Sequence, residues 1–285
     1  MALKRIHLDM SLLYYLVGMI GYGTGIETIG ILGGHGKSGE PESVDRVDFN
    51  MGDVASIAGH TSSGKTTLIN DIELFANADT PTGRRLLINN APPPEEFCHN
   101  PARNPIALIT QHATFLSDLP VDEFLTTHAQ IRSDAPQLAA QLVERTLAFA
   151  NQLTGEPILV KSRMTELSGG QTRALLIADA TILCNTPIIL LDEVENAGIY
   201  RSRALKLLRE YRKIFTFVTH DPRIALLSDY HVVMKSGCID KVIHTDEDER
   251  RLAVHVTRLD NILSDLRDQL RHGECVNGHA WEELR

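Results

Sequence analysis

The chain lacks any apolar run long enough to cross a bilayer. Its most apolar stretch, Met10 to Ile20, follows Lys4 and Arg5 and is broken by Gly21, Gly23 and Gly25, whereas a spanning helix needs about 20 apolar residues. A buried helix or strand is expected there rather than a signal segment, so a membrane role would require a partner chain. An excess of positive charge is missing too: 28 Lys and Arg against 37 Asp and Glu leave a formal net charge of −9. That balance argues against coating nucleic acid or an anionic membrane. Cysteines are few and scattered. Cys98, Cys184, Cys238 and Cys275 form no CxxC pair, which gives neither a zinc ribbon nor a disulfide framework and fits a reduced, cytoplasmic setting. With 285 residues, the chain suffices for one large or two ordinary domains around a substantial core.

What is present is ordered. After the glycine-rich GGHGKSG (33–39) come a strand, a turn at Met51-Gly52-Asp53, an apolar strand from Val54 to Ala58, a glycine-bounded loop and a helix. The prolines of 91–105 mark an excursion before a strand from Ile106 to Thr110. Residues 118–165 show helical apolar spacing (Leu138, Leu142, Val143, Leu147, Phe149), punctuated by Pro120, Pro136 and Pro157. A helix over about 170–184, a strand Ile188 to Leu191, a helix over about 200–213 and strands at Ile214 to Val218 and near Val232 to Met234 follow. Such alternation predicts a mainly parallel α/β sheet. Finally Leu252, Val256, Leu259, Leu263, Leu266 and Leu270 recur at helical spacing. This seam predicts a terminal helix packed on its own domain, with an intermolecular helix pair as the other option.

GHTSSGKTT (59–67) satisfies the phosphate-loop pattern G-x-x-x-x-G-K-[ST], with the strand before it and the helix after it that the pattern requires. The backbone of Gly59, His60, Thr61, Ser62, Ser63 and Gly64 is expected to wrap phosphates, continuing into Thr67. Lys65 would reach the β- and γ-phosphates, and the Thr66 hydroxyl would ligate Mg²⁺. The strand at 188–191 delivers Asp192 and Glu193 to a sheet edge. Asp192 would complete the Mg²⁺ shell, and Glu193 is placed to orient or deprotonate an attacking water.

LSGGQ (167–171) stands one helix upstream of that acidic strand, and with it the chain resembles the ATP-binding cassette (ABC) ATPases, whose signature this pentapeptide is. Gln111 resembles the glutamine of the Q-loop, and His220 in VTHD the switch histidine. The resemblance runs over 28–243. It implies a P-loop NTPase of ABC type: an α/β fold with a mainly parallel core sheet, an antiparallel β part, a helical subdomain over about 112–165 and a C-terminal helix. Residues 1–27 would form an N-terminal extension and 244–285 a C-terminal helical one.

The resemblance also implies ATP and Mg²⁺ as ligands and a head-to-tail dimer, of two copies or of this chain with a related one. ATP on one subunit's phosphate loop is then covered by Ser168, Gly169, Gly170 and Gln171 of the other; the glycine turn opens a helix whose N-terminal amides suit an anion. Gln111 would link Mg²⁺ and water to motion of the helical insert, and His220 would support the transition state. Nucleic acid is not an expected partner.

The family pattern fails in two places. Residues 32–43 hold no Phe, Tyr or Trp to stack on adenine, and His35 is the one ring there. After Glu193, Val194 stands where the family commonly has proline, and Asn196-Ala197-Gly198-Ile199 replaces the S-x-L-D segment that bridges the dimer. The basic residues of 201–213 read as a solvated helix face. Two functions stay open: a cytoplasmic subunit, peripheral at the inner membrane face, that energises a separate membrane-spanning chain; and a soluble ABC ATPase that remodels a protein, a metallocofactor enzyme or nucleic acid.

Overall fold

A computed structural model describes residues 25–100, 103–132, 138–193, 201–271 and 273. The stretch Met10 to Ile20 and the Asn196–Ile199 segment lie outside the described residues.

The strands are β1 (Thr28–Leu32), β2 (Arg46–Asn50), β3 (Val54–Ala58), β4 (Arg85–Ile88), β5 (Ile106–Ile109), β6 (Ile188–Asp192), β7 (Ile214–Val218), β8 (Tyr230–Lys235) and β9 (Cys238–His244). The helices are α1 (Lys65–Glu73), α2 (Glu95–His99), α3 (Val121–Arg132), α4 (Ala139–Leu153), α5 (Gly169–Ala178), α6 (Arg201–Arg209), α7 (Pro222–Leu227) and α8 (Glu247–Arg271). A three-stranded antiparallel sheet has the order β2-β1-β4, and a six-stranded sheet the order β5-β6-β7-β3-β8-β9. In the larger sheet β5, β6, β7, β3 and β8 are parallel and only β9 runs the other way.

Sequence patterning explains the division. β2, RVDFN, alternates exposed and buried positions, as a strand with one wet face must, while β7, IFTFV, is buried throughout, as a parallel strand covered on both faces must be. Alternate residues of the central strands feed two separate cores. Ile189, Leu191, Phe215 and Phe217 join α3 to α6 in one; Ile188, Leu190, Ile214 and Val218 join α1 and the antiparallel sheet in the other.

Four features depart from the sequence reading. The helix begun at Gly169 does not run to 184: its α-helical part ends at Ala178 and a π-turn, Asp179–Leu183, follows, closed by Cys184 N–H donating to Asp179 O at 2.8 Å. α6 stops at Arg209, where Glu210 and Tyr211 bond back three residues and Lys213 is drawn into the core. β9 was unforeseen. Ser236 and Gly237, both at positive φ (53° and 92°), close a two-residue hairpin onto it. The leucine seam of α8 is largely bare: Leu252, Leu259, Leu263 and Leu270 are about half exposed or more, and the buried position in that stretch is Ala253, beside α7. Leucine spacing marks the helix correctly, but the contact face lies around Ala253.

Candidate active site

Four adjacent parallel strands end at the same edge of the large sheet, which is where α/β sheets place ligands. β5 leads to Gln111, β6 to Asp192 and Glu193, β7 to Thr219 and His220, and β3 to the loop Gly59–Gly64. The sequence-predicted residues therefore converge by topology, although up to 161 positions of chain separate them (59 to 220).

The loop is glycine-bound at both ends for steric reasons. A Cβ on Gly59 (φ 153°) would lie 2.5 Å from both Met234 O and Ser63 Oγ, and one on Gly64 (φ 105°) 2.9 Å from Gly237 Cα. Lys65 is buried, and its ammonium donates to Gly59 O at 2.9 Å and His60 O at 3.1 Å, which presets it over the loop. α1 starts at Lys65 with no side-chain cap, so its N-terminus keeps the donors and partial positive charge that suit a phosphate. Ser63 Oγ is buried without a hydrogen-bond partner, and a phosphate oxygen would supply one. His60, Thr61, Ser62, Thr66 and Thr67 are exposed. The residues present fit a triphosphate.

Glu193 has the left-handed φ of 48°, uncommon for glutamate and worth about 1–3 kcal/mol of strain. Its N–H donates to Val218 O at 3.0 Å, which hooks it onto β7 and turns the carboxylate toward the histidine: Glu193 Oε1 and His220 Nε2 lie 3.5 Å apart. The neighbours of His220 lock the turn. Asp221 N–H donates to Thr219 Oγ1, and the Asp221 carboxylate caps α7 through Arg223 N–H and takes its guanidinium too. The imidazole stays about half exposed.

The signature is built differently. Ser168 and Gln171 form a capping box, Gln171 N–H donating to Ser168 Oγ (3.3 Å) and Ser168 N–H to Gln171 Oε1 (2.9 Å), while Gln171 Nε2 donates to Pro157 O at 3.1 Å. The S-x-x-Q spacing carried that signal. Further along α5, the Arg173 guanidinium donates to the backbone carbonyl of Gln111 and so ties the signature helix to the end of β5. Sequence reasoning missed Arg173. A cavity of about 1050 Å³ lies between the phosphate loop, Thr219–Pro222 and the β8–β9 hairpin, and none of Ser168, Gly169, Gly170 and Gln171 lines it. The phosphate loop and His220 thus line one cavity and Glu193 joins it through His220, whereas Gln111, Asp192 and Ser168–Gln171 are not among its lining.

Two further residues flank the loop. Lys37 lines this cavity and donates from Nζ to Ser62 O at 2.7 Å; its place in GGHGKSG was the available hint. His35 lines a smaller cavity of about 370 Å³ with Gly64, Thr67 and Gly237. Behind it, Arg84 is wholly buried and donates to Glu42 (2.6 Å), Asp71 (2.9 Å) and Gly237 O (2.7 Å). Glu42 also accepts from Gly34 and Ile239 N–H. Burial pushes its carboxyl up, but the Arg84 bond and these amides outweigh that and leave it below its usual value. One arginine thereby joins the antiparallel sheet, α1 and the β8–β9 hairpin around the loop.

Residues 44–196 match the family model described as ABC transporter. The chain belongs to the ABC transporter family. It is an ATP hydrolase of ABC type. An ABC transporter ATP-binding protein of Methanocaldococcus jannaschii is 42% identical over 249 residues, covering 87% of this chain and 94% of that protein. The sulfate/thiosulfate import ATP-binding protein CysA 1 of Agrobacterium fabrum is 27% identical over 212 residues, covering 70% of this chain and 58% of that one. Among solved structures, cbiO1 from Clostridium perfringens, part of the ABC transporter complex cbiONQ, superposes with a TM-score of 0.61 at 20% identity, covering 84% of this chain and 99% of that one. A dimeric bacterial ABC transporter cassette gives 0.59 at 22%, with coverage of 76% and 99%. At such identities these two structures bear on the fold of this ABC ATPase alone. No helix among its described residues is long and apolar enough to cross a membrane.

Proposed function

We propose that this ABC ATPase binds ATP between two copies arranged head to tail, and that closure and hydrolysis energise a separate membrane-spanning chain at the cytoplasmic face. The observation that carries the reading is the divided site: Glu193 and His220 meet beside the phosphate loop, while the capped signature of the same chain, Ser168–Gln171, lines no part of the cavity there. A second copy supplies the missing wall.

The phosphate loop and Lys65 hold the triphosphate. Thr66, Asp192 and Gln111 offer the hard oxygen donors that suit Mg²⁺, which when bound neutralises β- and γ-phosphate charge. Glu193 accepts the proton of a water as its oxygen bonds to the γ-phosphorus; the bond from that phosphorus to the bridging oxygen breaks, and ADP and phosphate leave. His220 holds Glu193 in place and donates toward the γ-phosphoryl oxygens as charge builds there. Lys37, donating across the loop, holds its outer strand.

A surface for the membrane-spanning chain lies on the helical side. Segments 118–122 and 160–164 bond to each other through Asp122 N–H to Val160 O and Met164 N–H to Leu119 O (both 3.0 Å). Around this junction Leu116, Leu119, Leu159 and Val160 are 43–102% exposed, an apolar patch of the kind that marks protein contacts. The test is detergent extraction of membranes from cells carrying tagged Glu193→Gln, followed by affinity capture with ATP. A co-purifying chain with several apolar spans, lost when Leu116 and Leu159 are both changed to Asp, supports transport. Capture of non-membrane proteins alone favours the remodelling ATPase.

A further inference from the structure

Away from the nucleotide site, His128 on α3, Asp179 at the start of the π-turn and Cys184 just after it converge. His128 Nδ1 lies 3.0 Å from Asp179 Oδ1, Cys184 Sγ 3.6 Å from Asp179 Oδ2, and Cys184 Sγ 3.8 Å from His128 Nε2. One ligand atom from each of the three lies within 4.8 Å of the others. The π-turn makes this possible. Five α-helical steps of about 100° would set positions 179 and 184 about 140° apart around the axis, whereas the five-residue bond from Cys184 N–H to Asp179 O closes the turn and puts both side chains on the face toward α3.

We propose that His128, Asp179 and Cys184 form a binding site for a borderline divalent transition-metal ion of the Zn²⁺ class. The spacing fits the chemistry. Bonds of about 2.0–2.1 Å to nitrogen or oxygen and 2.3 Å to sulfur, at tetrahedral angles, set neighbouring donors about 3.6 Å apart; the sulfur separations here are 3.6 and 3.8 Å. The imidazole presents Nδ1 to Asp179 Oδ1 at 3.0 Å and Nε2 to the sulfur at 3.8 Å, so a ring nitrogen stands beside each of the other two donors. Phe124 packs against the ring with centroids 5.9 Å apart. A thiolate and a carboxylate together neutralise the dication, and a mixed N, O, S set selects Zn²⁺-class ions over Mg²⁺ or Ca²⁺. His128 is about a fifth exposed, so water reaches the fourth position. The ion clamps α3 to the far end of the helix whose first turn is the nucleotide-binding signature.

The experiment uses the full chain, stripped with a chelator and titrated with Co²⁺ and Zn²⁺ in the absence of nucleotide. The parent should bind one Co²⁺ with a sulfur-to-cobalt charge-transfer band and gain thermal stability with Zn²⁺. His128→Gln and Cys184→Ser, each melting like the stripped parent, should both lose the band and the gain. His272, Cys275 and His279 offer a competing donor set in the sequence, so Cys275→Ser is the control and should keep both. Absence of the band in the parent overturns the proposal. So does a band that survives Cys184→Ser but disappears in Cys275→Ser. Because no nucleotide is involved, neither result depends on the catalytic assignment.

Discussion

His220 Nε2 stands 3.5 Å from Glu193 Oε1 because Asp192 pairs with Val218 across two neighbouring parallel strands, and both side chains leave that sheet edge, Glu193 one residue past the pair and His220 two. The pairing makes Glu193 and His220 one unit. Replacing Glu193 with Gln removes the proposed proton acceptor with little change of shape, so turnover at saturating ATP should fall about 10²–10⁴-fold. Nucleotide affinity should hold. Phosphate release and equilibrium binding of a fluorescent ATP analogue measure the two separately.

Arg84 is enclosed by Glu42, Asp71 and Gly237 with no exposure of its own. Arg84→Met leaves two buried carboxylates uncompensated and should lower unfolding free energy by about 3–5 kcal/mol. By contrast, the exposed pair of Lys161 and Asp122 should cost less than about 1 kcal/mol when Lys161 becomes Met. Urea unfolding of the three proteins gives the comparison.

Arg173 touches the carbonyl of Gln111 and none of the phosphate-loop residues. Arg173→Met should therefore lower kcat while leaving the KM for ATP near the parent value. A steady-state titration of ATP distinguishes this from a general loss of folding, which would reduce the active fraction in proportion to lost cooperativity on melting.

Lys213 lies buried, its ammonium donating to Asn185 Oδ1 (2.6 Å) and Thr186 O (2.9 Å), and burial pushes it down to about 7 from an ordinary 10.5. Between about pH 7 and 10 the unfolded chain binds a proton that the folded chain does not, so stability rises with pH across that window, by at most about 1.4 kcal/mol per unit. Below pH 7 both states are protonated and this slope vanishes. Chemical denaturation at pH 7 and 9.5 should show the rise in the parent and a flatter response in Lys213→Met.

The phosphate-loop backbone and the capping box were legible because their motifs are local. A phosphate loop must have glycine where a Cβ would strike Met234 O, and a capping box announces itself by the spacing of Ser168 and Gln171. Contacts made by topology were not. Nothing in the neighbourhood of Arg173 or Arg84 says that one will reach Gln111 and the other Glu42, 42 positions away. The π-turn was hidden because DATIL carries good helical spacing, and only packing against α3 and α4 opens it by a residue. The seam of α8 misled for the opposite reason: a strong period predicts a helix but does not say which face is covered.

The central claim, that a complete site needs two copies, is tested most directly by light scattering of Glu193→Gln with and without ATP and Mg²⁺. The account predicts a mass of one chain, 31.6 kDa, without nucleotide and twice that with it. Adding Ser168→Arg to the same chain should block the doubling while ATP still binds. A Glu193→Gln protein saturated with ATP that keeps the mass of a single chain would contradict it.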